Sequence, residues 1–240
     1  MPLAAAAAVA AGAAVQSATG FGFSIVAAPL VFAAVEPQEA VGLLILLGSL
    51  ANVLTLVSER RRPRPVWQEC AVLLAFALPG AVAGVAVLRA LDPVALQVAV
   101  SIGVVATLIA RRLAKRHTPA WGGPIAGLAA GALTTSTTTA GPPLIVYLLG
   151  RDLEPGQVRD TVPVCFLGLS MVGVVALWVT DTGGAVPEAG LVALLVPVVA
   201  AGHLAGRPLF AALARSGRYE AVLTTILIAS VATGLAAALF

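Results

Sequence analysis

The sequence predicts an all-α, polytopic membrane protein made of two repeats, each a broken helical hairpin followed by three transmembrane helices, with the second repeat inverted relative to the first. Three observations carry that prediction. Hydrophobic residues make up 60% of the 240 positions and charged residues only 10%, with a mean hydropathy of +1.01, an apolar share well above that of a soluble domain. Several runs are long enough to cross a hydrocarbon core about 30 Å thick. The second observation is a polar interruption: residues 134–139 read TTSTTT, followed at once by Ala140-Gly141-Pro142-Pro143, inside the otherwise apolar stretch 121–149. Non-helical backbone at membrane depth survives only where it is buried in protein or lines a water-filled cavity, because lipid offers no partners for freed N–H and C=O groups. The third is a duplication. At a shift of 119, Gly12, Ser17, Thr19 and Gly22 meet Gly131, Ser136, Thr138 and Gly141; at 118, Glu36-Pro37, Pro79, Gly84 and Arg89 meet Glu154-Pro155, Pro197, Gly202 and Arg207. Internal duplication is frequent in secondary transporters, where substrate sits near the midplane between the repeats.

The elements follow in order. Residues 1–35 form the first hairpin. Their Ala-rich start lacks the basic region of a signal peptide and belongs to the fold, and they are interrupted at Gln16-Ser17-Ala18-Thr19-Gly20-Phe21-Gly22-Phe23-Ser24. Three spans complete the first repeat (1–118), at 40–57, 70–88 and 94–110, each bounded by charges or Pro/Gly punctuation and each suited to one tilted helix. The second repeat (119–240) has its hairpin at 121–150 and spans at 161–179, 189–206 and 221–240. Cys70 and Cys165 lie in or beside apolar segments, where packing is the expected role.

Loop charge orients the halves. If both long stretches cross once, Lys and Arg divide 8 against 6 between the two sides, which is no bias. If each enters and returns, the loops at 60–64, 111–116, 151–159 and 207–218 share one side and the division is 13 against Arg89 alone. The positive-inside rule selects the hairpins. Each half then crosses three times, so the second is inverted, the hairpins enter from opposite faces, and the termini lie outside the cytoplasm. A hairpin arm of about fifteen residues is roughly 22 Å of helix, which fits either a half-span or a short tilted span.

The two interrupted runs, their place at the start of each half and the chain length together resemble the TauE/SafE family of sulfite-exporter-like permeases, also called the toluene-sulfonate uptake permease family. The resemblance covers nearly the whole chain. It implies a transporter moving small sulfur-containing or organic anions, such as sulfite, sulfoacetate or related sulfonates, across the bacterial inner (plasma) membrane.

The residues themselves point to an anion. Glycine lets backbone approach a ligand, Ser and Thr supply hydroxyl donors, and a hairpin of half-helices aims an N-terminus, with its unpaired N–H groups, at the membrane centre. Pro142 and Pro143 suit the first turn of a returning half-helix. The candidate substrate-binding residues are therefore Gln16, Ser17, Thr19, Gly20 and Gly22 in the first break and Thr135, Ser136, Thr137, Thr138 and Gly141 in the second. Asn52 joins them; it shares a face with Ser49 and Thr55 and has Ser170 as its repeat counterpart. Close packing of small residues is the plainer alternative at each position. Arg89 and Arg207, at matched ends of matched spans, could attract anions at the two mouths or snorkel to headgroups. His203 is the one histidine within a span, a candidate proton relay or a hydrogen-bonded core residue.

Absences narrow the reading further. No Asp or Glu lies well inside a span, Glu69 standing at an end, so a carboxylate-based sodium site or a buried acid relay is not expected. Two isolated Cys and two isolated His offer no catalytic or metal constellation, so no cofactor and no metal are expected and an intramembrane enzyme is the weakest reading. An anion channel on the same fold is the serious rival, since half-helix dipoles serve either purpose. The net charge of +3 comes from loops, not from a nucleic-acid surface. The expected partners are a small anionic substrate and the lipid bilayer, with a homodimer left open.

Overall fold

A computed structural model describes residues 2–58, 62–113, 121–151, 153–215 and Ala232. Among them the chain is all-helical: α1 (Pro2–Thr19), α2 (Phe23–Phe32), α3 (Pro37–Val57), α4 (Trp67–Ala90), α5 (Pro93–Leu113), α6 (Gly122–Ser136), α7 (Gly141–Leu149), α8 (Pro155–Val179) and α9 (Ala189–Arg215), with a single 3-10 turn at Gly183–Ala185. Among the described residues four stretches are long and apolar enough to cross a membrane: Pro37–Val57, Trp67–Ala90, Gly156–Val179 and Gly183–Pro208. They correspond to four of the six spans expected from sequence. The span at 94–110 falls within α5, and the one at 221–240 lies outside the described residues apart from Ala232.

The repeated Glu-Pro dipeptides mark helix starts. Pro37 and Pro155 occupy the first turns of α3 and α8, where a missing N–H costs nothing. Glu154 also closes a capping box, its backbone N–H donating to Gln157 Oε1 at 3.0 Å. Asp92 performs the same service for α5, accepting from Ala95 N–H at 2.8 Å.

The hairpin arms are unequal. α1 has 18 residues and α2 has 10; α6 has 15 and α7 has 9. At 1.5 Å per residue the first arms run about 27 and 22 Å and the second arms only about 15 and 14 Å, so in each pair a long helix is followed by a half-helix.

The long arms pack across the repeats, α6 against α4 and α1 against α9. Small residues permit this approach. A methyl group at Gly80, Gly84, Gly127 or Gly131 would strike the carbonyls of Leu128, Ala132, Leu73 and Ala77 respectively, and one at Gly202 or Gly206 those of Ala10 and Ala14. This is how helices associate where lipid offers no hydrophobic driving force between them. The main apolar core centres on the fully buried Leu43, Leu44 and Leu47 of α3, with Phe23 and Val31 of α2, Leu96 of α5 and Leu195 and Val199 of α9 packed around them.

Side-chain bonds sort the helix ends. At one end of the bundle Arg64 N–H donates to Asp160 Oδ2 at 2.8 Å, Val66 N–H to Thr161 Oγ1 at 3.0 Å, Arg151 Nε to Glu69 Oε1 at 2.9 Å and Arg207 to the Ser58 carbonyl at 2.7 Å. At the other end Arg89 donates to Thr182 Oγ1 at 2.8 Å and to the Thr180 carbonyl, and Glu188 N–H donates to Glu39 Oε1 at 3.0 Å. The basic segments near 64, 151–159 and 207 thus share an end, opposite Arg89. Glu69 is buried, with the Tyr147 hydroxyl and Arg151 as partners. Cys70 and Cys165, isolated in sequence, meet below it as free thiols with sulfurs 3.2 Å apart.

Candidate functional site: a cavity between the two helix breaks

The first break begins where α1 runs out. Gly20 N–H still bonds the Gln16 carbonyl at 2.8 Å, but Gly20 (φ 83°) and Gly22 (φ 109°) are left-handed, a conformation that glycine adopts without a Cβ clash, and the chain reverses into α2. The Gln16 side chain holds the reversal together. Its Oε1 accepts the Phe23 N–H at 3.1 Å, and its Nε2 donates to Asn52 Oδ1 at 2.6 Å and reaches the Gly20 carbonyl at 3.4 Å. One buried amide therefore ties the end of α1, the start of α2 and the middle of α3.

The second break ends α6 differently. Thr137 and Thr139 N–H both bond the Leu133 carbonyl at 3.2 Å, and Thr138 is left-handed at φ 56°. The hydroxyls of the last turn bond back to carbonyls. Thr134 donates to the Ala130 carbonyl, Thr135 to Ala81 on α4 and Ser136 to Ala132, each at 2.7 Å. Thr138 donates to Thr137 O at 2.7 Å, and Thr137 reaches Leu133 O at 3.3 Å and Thr139 Oγ1 at 2.7 Å. A hydroxyl has one hydrogen to give, so most of this run is already committed to carbonyls and presents lone pairs rather than donors.

Between the breaks lies a cavity of about 50 Å³, lined by Gln16, Gly22, Phe23 and Ser24 from the first, Thr134, Thr138, Ala140 and Gly141 from the second, and Gly48, Asn52, Phe166 and Ser170 from α3 and α8. One water needs about 10–15 Å³ of such space, so a solute of a few heavy atoms fits. Repeat-related pairs face it together: Gly22 with Gly141, and Asn52 with Ser170. The N-termini of both half-helices open onto it, where unpaired N–H groups and the helix dipole favour negative charge. They are not equal donors. At α2 the Phe23 N–H is taken by Gln16, while Ser24 and Ile25 carry first-turn N–H groups. At α7 two of the first three positions are Pro142 and Pro143, which have no N–H to offer.

Of the residues expected from sequence, Gln16, Gly22, Asn52, Thr138 and Gly141 line the cavity. Thr135, Ser136 and Thr137 are buried beside it and bonded to carbonyls. Ser17 is buried, does not line the cavity, and its hydroxyl has no partner. Gly20 sits against Arg159, and Thr19 closes α1 with a side chain outside what is described. Ser24 and Phe23 were missed as candidates. Their signal was positional, since they follow Gly22 in the first turn of a half-helix. Ser170 had appeared only as the counterpart of Asn52.

The three candidates away from the breaks have partners of their own. Arg89 on α4 caps the C-terminus of α8 through Thr180, and Arg207 on α9 caps that of α3 through Ser58, so the matched arginines make matched contacts across the repeats. His203 is 2% exposed; its Nε2 lies 2.9 Å from Ser58 Oγ and its Nδ1 has no partner. Among the described residues no three His, Cys, Asp or Glu side chains gather as a metal site.

A family model described as Sulfite exporter TauE/SafE matches residues 4–235. Neither a curated protein nor a solved structure matches the chain.

Proposed function

The chain belongs to the sulfite exporter TauE/SafE family, and from that premise we propose that it is a carrier that binds a small sulfur-containing or organic anion, such as sulfite or a sulfonate, in the cavity between its two helix breaks. The observation that carries this reading is the convergence of two half-helix N-termini on one small cavity lined by repeat-related residues. In this reading the amide hydrogens of Ser24 and Ile25 receive the anion's oxygens, with the hydroxyls of Ser24 and Ser170 as neutral donors and Gly22 and Gly141 keeping the backbone close. A protein with no fixed cation at the site relies on such oriented dipoles, each helix end contributing roughly 0.3–2 kcal/mol.

The carrier is an inverted repeat with the basic end in the cytoplasm, a multi-pass protein of the inner membrane. Reciprocal packing supports it: α1 on α9 mirrors α6 on α4, and Arg89 on α8 mirrors Arg207 on α3. His203, with one ring nitrogen unpartnered, is the candidate for carrying a proton with the anion. A cavity of about 50 Å³ favours a carrier over a channel, because a conducting pore needs a continuous aqueous path.

The test is transport in proteoliposomes of sulfite, thiosulfate, sulfoacetate, sulfolactate and short carboxylates. Saturable counterflow of at least one sulfur anion is expected. Single-channel current would replace the carrier with a pore, and indifference to every anion would remove the cavity from its role.

A further inference from the structure

We propose that Cys70 and Cys165 form a redox-active dithiol that closes to a disulfide under peroxide and so arrests the carrier. The arrest, though not the disulfide, rests on the transport reading above.

Of the chain's 240 residues two are cysteine, and they touch. They lie on α4 and α8, 95 positions apart in sequence, and folding brings their sulfurs to 3.2 Å as free, buried thiols. Nothing polar separates them, since both belong to one apolar cluster with Leu73, Leu144 and Leu148.

The backbone on both sides of the pair is already held. Ahead of it, the Arg64 and Val66 N–H groups donate to Asp160 and Thr161 at the start of α8. Beyond it, Leu74 of α4 packs where a methyl group on Gly168 of α8 would stand, so the two helices stay close for a further turn. A disulfide is about 2.05 Å long, so from 3.2 Å each sulfur has about 0.6 Å to travel, a matter of side-chain rotation and not of helix movement. Access comes from the end of the bundle. Cys70 follows Glu69, whose carboxylate is bonded by Tyr147 and by Arg151, and the Arg151 side chain is 32% exposed. Local opening of that ion pair admits a molecule as small and uncharged as hydrogen peroxide.

The chemistry balances with peroxide as the oxidant. One sulfur attacks and the oxygen–oxygen bond breaks, leaving a sulfenic acid and one water. The second thiol then displaces the hydroxyl as another water, and the sulfur–sulfur bond forms. Two electrons pass from the sulfurs to the peroxide, and both thiol protons end in water. A dithiol reductant restores the pair by exchange. In a reducing compartment such a bond lasts only while oxidant does, which is the behaviour of a sensor and not of a structural bridge.

The bond reaches the anion cavity through α8. Phe166, the residue after Cys165, lines that cavity together with Leu169 and Ser170, whereas α4, among the described residues, contributes nothing to the lining. A disulfide therefore fastens a cavity-lining helix to one outside the lining. Hydrogen bonds between the two can break and reform as a carrier changes its open side; a covalent bond cannot.

Counting thiols tests the site. Wild-type protein in membrane vesicles, exposed to peroxide and then unfolded, should lose both thiols together, weigh less by two hydrogens and recover fully in dithiothreitol. Two thiols still free, or converted to sulfinic and sulfonic acids with no disulfide, overturn the dithiol. Counterflow of sulfoacetate tests the arrest, because this anion, unlike sulfite, neither consumes peroxide nor cleaves disulfides. It should be lost on oxidation and return with dithiothreitol, while the Cys70→Ala/Cys165→Ala variant transports at one rate before and after peroxide. Undiminished counterflow in oxidised wild type, or equal loss in the double variant, overturns the arrest. No counterflow of any anion by the reduced protein overturns the transport reading and the arrest with it, and the thiol count still decides the disulfide by itself.

Discussion

At the residue scale the breaks divide their polar groups between holding the backbone and facing the cavity. Thr135 illustrates the first use: it is fully buried and gives its hydrogen to Ala81 across the α4–α6 contact. Thr135→Val should therefore lower stability by about 1–3 kcal/mol, the usual cost of leaving a buried acceptor without its donor, seen as a lower thermal midpoint, while the anion affinity of the folded protein stays near wild type. Ser24 illustrates the second, lining the cavity in the first turn of α2. Ser24→Ala should leave the thermal midpoint nearly unchanged and weaken sulfite binding by roughly tenfold, the worth of one hydrogen bond to a charged group; the reverse pattern in the two variants would exchange their roles. The sequence made both breaks visible because polar residues are conspicuous in an apolar chain. It did not show where each hydroxyl hydrogen points. Bonds from Thr134 and Ser136 to carbonyls four residues back depend on helix geometry, and that from Thr135 to Ala81 depends on a neighbour 54 positions away.

At the element scale the unequal arms were hidden from sequence for a physical reason. α1 is almost wholly apolar and Ala-rich, so it carries no periodic signal that would place its end; only the left-handed glycines do so, and they mark the tip without fixing its depth. Glycine contacts set how closely α6 meets α4, as those of α9 do for α1. Gly131→Leu should prevent the helices from meeting, because the added side chain has no direction free of the Ala77 backbone, and should abolish a monodisperse peak in detergent. Gly183→Ala, with nothing within 4 Å, should purify like wild type; normal behaviour of Gly131→Leu would mean that the long arm is not pressed against α4. The matched arginines also change meaning at this scale. Sequence suggested anion attraction at the mouths, and the contacts add a cap on a helix of the other repeat. Arg89→Gln and Arg207→Gln should each lower stability by about 0.3–1 kcal/mol at low ionic strength, an effect that shrinks with salt. Thermal midpoints measured alongside the half-saturation concentration separate this structural contribution from any role in attracting substrate: a rise in half-saturation at unchanged midpoint assigns the arginine to the mouth.

At the scale of the whole molecule, the apolar composition made the all-helical, multi-span architecture legible, and the duplication is what leads to the proposal of two inverted halves. The charge division is what favours the hairpin threading over single crossings, which hydropathy alone could not separate. What sequence left unstated was which helices exchange partners. That depends on surfaces of small residues whose patterns recur throughout the chain, so Gly84 pairing with Ala132 and Gly202 with Ala10 could not be picked out of 24 glycines. Contacts already described group the helix ends, with Arg64 against Asp160 at one end and Glu39 against Glu188 at the other. Single cysteines replacing the exposed Arg62 and Glu154, in a chain whose buried Cys70 and Cys165 have been changed to Ser, should react with an impermeant maleimide only from the cytoplasmic side of oriented membranes. A cysteine replacing the exposed Asp92 should react only from the outer side. The comparison is decisive because Arg62 and Glu154 belong to different repeats. If both long stretches crossed once, the two would label from opposite faces, the half-helices would no longer approach the cavity from opposite sides, and the pairing of Gly22 with Gly141 there would have no symmetry behind it.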